Sequence, residues 1–255
     1  MKLIRIIYTL WGLFWFWAIF ILLYPGFLLV IHVKSLREYT CELNRIWAHV
    51  VYWACFMPVK VEWRFDPKRE DIYIYCPNHN SYLDIPLVAH ATPHFIAFMG
   101  KKDLERVPLF GYMFKHIHIS VDRGNLKSRY KAFEDTKAAI DKGWSVLLFP
   151  EGGINAQPPR PKNFKDGAFK IAIEKQVPII PVTIPYHWIV LHDTNTWMKW
   201  HPAKIIYHEP VQPTGMTLED APALKAKVYQ VISDEMKAHF PTEFEEPKTE
   251  EITKN

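Results

Sequence analysis

The sequence predicts an α/β fold: a single domain with a mixed, largely parallel sheet flanked by helices, preceded by N-terminal membrane-embedded helices. Three observations predict it. From Pro58 onward, short apolar runs alternate with amphipathic helical stretches, the pattern of strands joined by crossover helices. From Ile6 to Val33 the chain carries no Lys, Arg, Asp or Glu, a run longer than the roughly 20 apolar residues that cross a bilayer. Polar loop blocks follow several of the strands, at the carboxyl ends where α/β sheets gather ligands. A chain of 255 residues fits one sizeable core. The expected division is an anchoring segment over 1–57, the α/β domain over 58–240 and a charged, mobile tail over 241–255.

The N-terminal run holds Trp11, Trp15 and Trp17 among Leu, Ile and Phe, and Pro25-Gly26 interrupts it. A cleaved signal peptide fits worse, because the apolar stretch is too long and no small-residue cleavage site follows. Lys2 and Arg5 flank one end and Lys34 and Arg37 the other, so the positive-inside rule gives no orientation. In the next segment, Glu38 to Met57, Leu43, Ile46, Trp47, Val50, Val51 and Ala54 recur at helical spacing. Glu42, Arg45 and His49 lie among them, which makes that helix amphipathic. A helical hairpin within one leaflet is favoured over a single span.

Strands are expected at Val59–Phe65, Ile72–Cys76, Phe95–Met99, Ile117–Val121, Trp144–Phe149, Ile179–Ile184 and Ala203–His208. Helices are expected at Ile85–Ala91, at Lys101–Phe114 with a break at Pro108, at Leu126–Lys142 ending on Gly143, at Asp166–Gln176 and at Thr217–Phe240. Antiparallel pairs are expected near Val59–Cys76 and at the C-terminal end.

Net charge is +4, too mild for a nucleic-acid partner but suited to an anionic lipid surface. Aromatic residues reach 15%, with ten Trp, high for a purely cytosolic enzyme. The three cysteines, Cys41, Cys55 and Cys76, have no CxxC spacing and favour a reduced compartment over a disulfide framework.

Three loop blocks carry chemistry. In the first, His79 and Asp84 follow a buried strand. A neutral imidazole there can accept a proton from an alcohol, while a carboxylate on its other nitrogen fixes the tautomer and stabilises the imidazolium. Asp84 also fits as the cap of the following helix, whose first turn holds Pro86. In the second, Arg123 ends a strand with a guanidinium, the group shaped for bidentate phosphate binding; a solvated Arg is the ordinary alternative, as it is for Lys101. In the third, Phe149-Pro150-Glu151-Gly152 can bring backbone N–H groups to an anion or hydroxyl.

The ordered set Asn78-His79 with Asp84, Lys101-Lys102-Asp103-Leu104 with Pro108 and Gly111, Arg123, Phe149-Pro150-Glu151-Gly152, Phe164-Lys165-Asp166-Gly167-Ala168 and Val177-Pro178-Ile179-Ile180-Pro181-Val182 resembles the glycerolipid acyltransferase family. Its nearest likeness is to the 1-acylglycerol-3-phosphate acyltransferases, over roughly Pro58 to Pro185. The resemblance implies that His79 is a general base on a lysolipid hydroxyl, held by Asp84, and that no covalent acyl-enzyme forms. The sequence agrees with the last point: it has no G-x-S-x-G elbow and no cysteine in the loop blocks. It further implies that Arg123, with Lys101, binds an acceptor phosphate, and that Glu151 and Gly152 shape the acceptor site. No resident cofactor or metal is expected. The implied co-substrate is acyl-CoA or acyl-carrier protein, the implied partners are lysophospholipid and membrane lipids, and the site is expected to face the cytoplasm. One departure stands out: Ile154 occupies the place of the family's usual Arg after the third block, leaving Arg160, Lys162 or Lys165 to supply that charge, or else a different acceptor.

Two rival readings are a metal-dependent hydrolase, from His116-x-His118 alternating along a strand, and a membrane adaptor without chemistry. The first lacks further ligands at supporting spacing, and intact His79, Asp84, Arg123 and Glu151 oppose the second.

Overall fold

The computed structural model of the chain describes residues 2–68 and 70–245. Helix α1 (Lys2–His32) runs for 31 residues, about 46 Å. It continues through Pro25 instead of breaking there. Packing explains the continuity: Gly26 sits so close to Leu43 that a Cβ would lie 3.1 Å from its side chain, and Phe20, Phe27 and Val30 are buried on the same side. A 3-10 turn, Lys34–Tyr39, leads into α2 (Thr40–Ala54), which returns along α1. The indole of Trp47 donates to the Phe16 carbonyl and that of Trp11 to the Ala54 carbonyl, tying α2 to the N-terminal half of α1. The opposite face of α1 exposes Leu3, Ile4, Ile7, Leu10, Leu13 and Phe14. Among the described residues α1 alone is long and apolar enough to cross a membrane.

Seven strands follow: β1 (Val59–Trp63), β2 (Ile74–Pro77), β3 (Ile96–Lys101), β4 (Ile119–Val121), β5 (Ser145–Leu147), β6 (Ile179–Thr183) and β7 (Ala203–Tyr207). Their order is β1-β7-β6-β2-β5-β3-β4, and every pair is parallel except β6 with β7. The expected antiparallel pair at the C-terminal end is therefore present. The one expected near Val59–Cys76 is not, because β7 and β6 stand between β1 and β2. Burial accounts for this placement: β2 is buried along its whole length and takes the centre, whereas half-buried β1 takes the edge.

The remaining helices are α3 (Asp84–Ala91), α4 (Phe110–Ile117), α5 (Leu126–Asp141), α6 (Gly167–Lys175), α7 (His187–Val190) and α8 (Ala221–His239). The pleat sorts β2 between two cores: Ile74 and Cys76 face the side of α5, α6 and α8, while Tyr75 meets Leu87 and Val88 of α3 on the other. Each fully buried Ile or Leu contributes about 1.5–3 kcal/mol, so the central strands hold the loops that leave them. Gly143 ends α5 at φ +82°, as the sequence predicts, and the structure adds an N-cap, the side-chain oxygen of Asn125. Residues 101–114 depart from one broken helix, since a 3-10 turn, Lys102–Arg106, precedes α4.

His116 and His118 do not share a strand face. His116 lies in the last turn of α4, and half-buried His118 accepts the Phe98 N–H through Nδ1, because the strand begins only at Ile119. At the C-terminus, Pro241–Phe244 form a 3-10 turn on which Arg160 docks, donating to the carbonyls of Glu243 and Glu245. The rest of the expected tail, 246–255, lies outside the described residues.

Gly111 is required by close approach, since a Cβ there would fall 2.1 Å from the Glu105 carbonyl oxygen. Gly111→Ala is expected to lower unfolding stability by about 1–3 kcal/mol, measured by denaturant titration in detergent; an unchanged midpoint would refute the packing.

Candidate active site

The site is assembled where β2, β5 and β6 end side by side. Asn78, just past β2, donates from Nδ2 to the Ile184 carbonyl and accepts the Ile184 N–H at 2.7 Å, which extends the β2–β6 ladder by one side chain. The chain then turns, and His79 is presented with its ring stacked on Phe149, 3.8 Å between centroids.

Asp84 is the first residue of α3, but its carboxylate does not cap that helix. It folds back. Oδ2 lies 3.0 Å from His79 Nδ1 and accepts the N–H groups of Asn80 and Ser81 at 2.8 and 2.9 Å. Oδ1 lies 3.0 Å from Nδ1 of His187. Burial alone would raise the Asp84 carboxyl, but the hydrogen bonds from His187 and His79 outweigh it and hold the group below its ordinary range. An ionised Asp84 fixes the proton of His79 on Nδ1 and leaves the Nε2 lone pair as the basic position.

Glu151 follows β5 and is 1% exposed. Its Oε1 accepts the His79 N–H at 2.9 Å and its Oε2 the Lys162 N–H at 3.0 Å. The His79 carbonyl in turn accepts the Asn155 N–H at 2.8 Å, so both backbone groups of the histidine are clamped. Gly152, next in the turn, has φ +73°, a conformation that favours glycine.

Two cations flank this turn. Arg123, two residues past β4, brings Nη1 to 3.1 Å from where a Cβ on Gly153 would sit. Partial burial lowers its pKa, and among the described residues no carboxylate offsets that effect. Lys165 lays its side chain across Gly152, Cγ and Cε at 3.4 and 3.7 Å from a Cβ built there. Lys101 ends β3 with its ammonium paired to Asp103 at 2.6 Å. Of the residues left to compensate for Ile154, Arg160 is turned to the C-terminal carbonyls and Lys162 contributes its backbone to Glu151, while Lys165 reaches the Gly152 turn.

His187 and Tyr52 escaped the sequence reading. His187 had a usable signal, because it lies just beyond β6, the strand beside β2, on the edge where ligands gather. Tyr52 had none: it lies on α2 and reaches the site only through packing.

Burial pushes the Glu151 carboxyl up to about 7, with the Asp84 charge adding to it and the two backbone N–H bonds opposing. A carboxyl raised above its unfolded value stabilises the fold at low pH, and that contribution is lost as pH rises through about 7. Relative to Glu151→Gln, the unmutated chain is expected to lose on the order of 2–3 kcal/mol of unfolding free energy between pH 5 and 8. A pH-independent difference between the two would refute this.

A model of the acyltransferase family matches residues 59–185. The chain is 29% identical over 181 residues to a 1-acyl-sn-glycerol-3-phosphate acyltransferase of Chlamydomonas reinhardtii, covering 68% of this chain and 54% of that protein. It is 26% identical to one of Limnanthes douglasii, covering 74% and 64%, and 29% identical to one of Haemophilus influenzae, covering 68% and 73%. The chain thus spans about half to two thirds of the length of the first two relatives. In fold it is similar to the crystal structure of the 1-acyl-sn-glycerophosphate (LPA) acyltransferase PlsC of Thermotoga maritima, with a TM-score of 0.75 and 22% identity over 92% of this chain and 97% of that one. Together with the sheet order and the polar loops at its carboxyl edge, these matches establish that the chain belongs to the acyltransferase family.

Proposed function

We propose that the chain transfers a fatty acyl group from an acyl thioester to the free hydroxyl of 1-acyl-glycerol-3-phosphate, giving phosphatidic acid. The observation that carries the reading is Asp84 Oδ2 at 3.0 Å from His79 Nδ1, in a carboxylate wholly shielded from solvent. His79 Nε2 takes the hydroxyl proton as the acceptor oxygen attacks the thioester carbonyl. The tetrahedral intermediate collapses with cleavage of the C–S bond, and the departing thiolate receives that proton from His79. Asp84 stabilises the imidazolium between the two transfers, an arrangement worth about 10²- to 10⁴-fold in rate. The donor is acyl-CoA or acyl-carrier protein.

Arg123 and Lys165, on either side of Gly152-Gly153, are the groups to which we assign the acceptor phosphate. Glu151 acts indirectly, by fixing the His79 backbone. Membrane attachment is assigned to the apolar outer face of α1, with the site on the cytoplasmic side. A lysolipid without a phosphate monoester is the second reading, favoured by Ile154.

The test uses the purified full-length chain, labelled acyl-CoA and a panel of lysolipid acceptors. His79→Ala is expected to abolish acceptor-dependent thiol release, and normal turnover in it would sink the reading. Arg123→Ala and Lys165→Ala are each expected to raise KM for lysophosphatidic acid about 10- to 100-fold while leaving KM for acyl-CoA unchanged. An unchanged acceptor KM, with better turnover of an uncharged lysolipid, would select the second reading.

A further inference from the structure

Asp84 is held from two directions, and the acyl-transfer chemistry above uses only one of them. Its Oδ2 receives His79 and two backbone N–H groups, all from the loop that carries the histidine. Its Oδ1 receives His187, which is 103 residues away in sequence and 0% exposed. Neither side chain is open to solvent, so water does not replace the bond. Beyond His187, the Tyr52 hydroxyl stands 3.3 Å from His187 Nε2 and 3.3 Å from the Leu83 carbonyl, with the two rings parallel to within 10°. Tyr52 belongs to α2, so the contact runs from the N-terminal hairpin to the carboxylate. A second tie joins the same segments, as the Ser81 hydroxyl donates to the Leu191 carbonyl just after α7.

We propose, resting on the acyl-transfer reading, that His187 is a positioning residue for His79 and that Tyr52 anchors it to the N-terminal hairpin. With Oδ1 occupied, the carboxylate cannot swing away from His79 Nδ1. The same bond draws charge from the carboxylate, which moderates its pull on His79 and sets the basicity of Nε2. Losing the donor strands a buried acceptor and leaves more negative charge facing His79, so the histidine holds its proton to higher pH. Other titratable groups nearby include Glu151 from the β5 turn, Tyr52 on α2 and, beside Tyr52, Cys55 and His90.

The conservative variants separate positioning from mere filling, because Asn presents its amide N–H where His has Nδ1, whereas Gln presents it farther out. In the full-length chain, His187→Gln is expected to lower kcat about 10- to 100-fold with both KM values little changed. It is also expected to move the acid limb of kcat/KM to higher pH, and His187→Asn to restore both. Tyr52→Phe should displace the limb the same way by less. Imidazole NMR of His79 in the same samples reads its titration without substrate. An unmoved His79 midpoint in His187→Gln, or equal losses in the Asn and Gln variants, would overturn the inference. A moved midpoint, in a chain whose unmutated form transfers no acyl group, would support the inference and count against the activity alone.

Discussion

A carboxylate with no exposure to water must find all its hydrogen-bond donors within the protein, and Asp84 imposes that condition on the structure around it. Four donors meet it: His79, His187 and the N–H groups of Asn80 and Ser81. They arrive together only if β2 and β6 are neighbours, if the loop after β2 doubles back and if α7 starts immediately past β6. Leaving such a charge unpaired costs about 3–5 kcal/mol. The Asn78 clamp onto Ile184 aligns the two strand ends, and Glu151 with Asn155 secures the backbone of His79 from the β5 side. The dry end of the site is thereby rigid before any substrate enters.

The other end has the opposite character. Arg123 and Lys165 lie against a turn whose glycines keep it low and open, and among the described residues no carboxylate pairs with Arg123. A dianionic group suits that position, whereas the Asp84 side suits a hydroxyl about to lose a proton. On the proposed reading, the acceptor phosphate would sit in the solvated, strongly charged region and proton transfer in the shielded one. At Ile154, where the third block lacks its usual charge, Lys165 is the cation that crosses the neighbouring Gly152 turn.

Much of this was legible in the sequence, and local chemistry explains which parts. The strands, the offset that lets Asp84 reach His79 and the turn at Gly152 depend on residues close in the chain, so composition and spacing reveal them. What stayed hidden depends on contacts across the fold. His187 meets Asp84 because β6 lies against β2, and Tyr52 meets His187 because α2 packs onto α3. The continuity of α1 through Pro25 follows from packing against α2, which outweighs the local preference for a break. Capping by Asp84 was plausible from its place before Pro86, but two backbone donors and two histidines compete for the same carboxylate and win.

The central claim is that Asp84 fixes the tautomer and charge of His79. Steady-state kinetics of Asp84→Asn measure it most directly, since the amide keeps the volume but loses the charge and presents N–H where acceptors are needed. The predicted result is a kcat lower by about a thousandfold or more, with KM for thioester and lysolipid within a few-fold of the unmutated chain. Turnover within a few-fold of normal in a folded Asp84→Asn chain would contradict it.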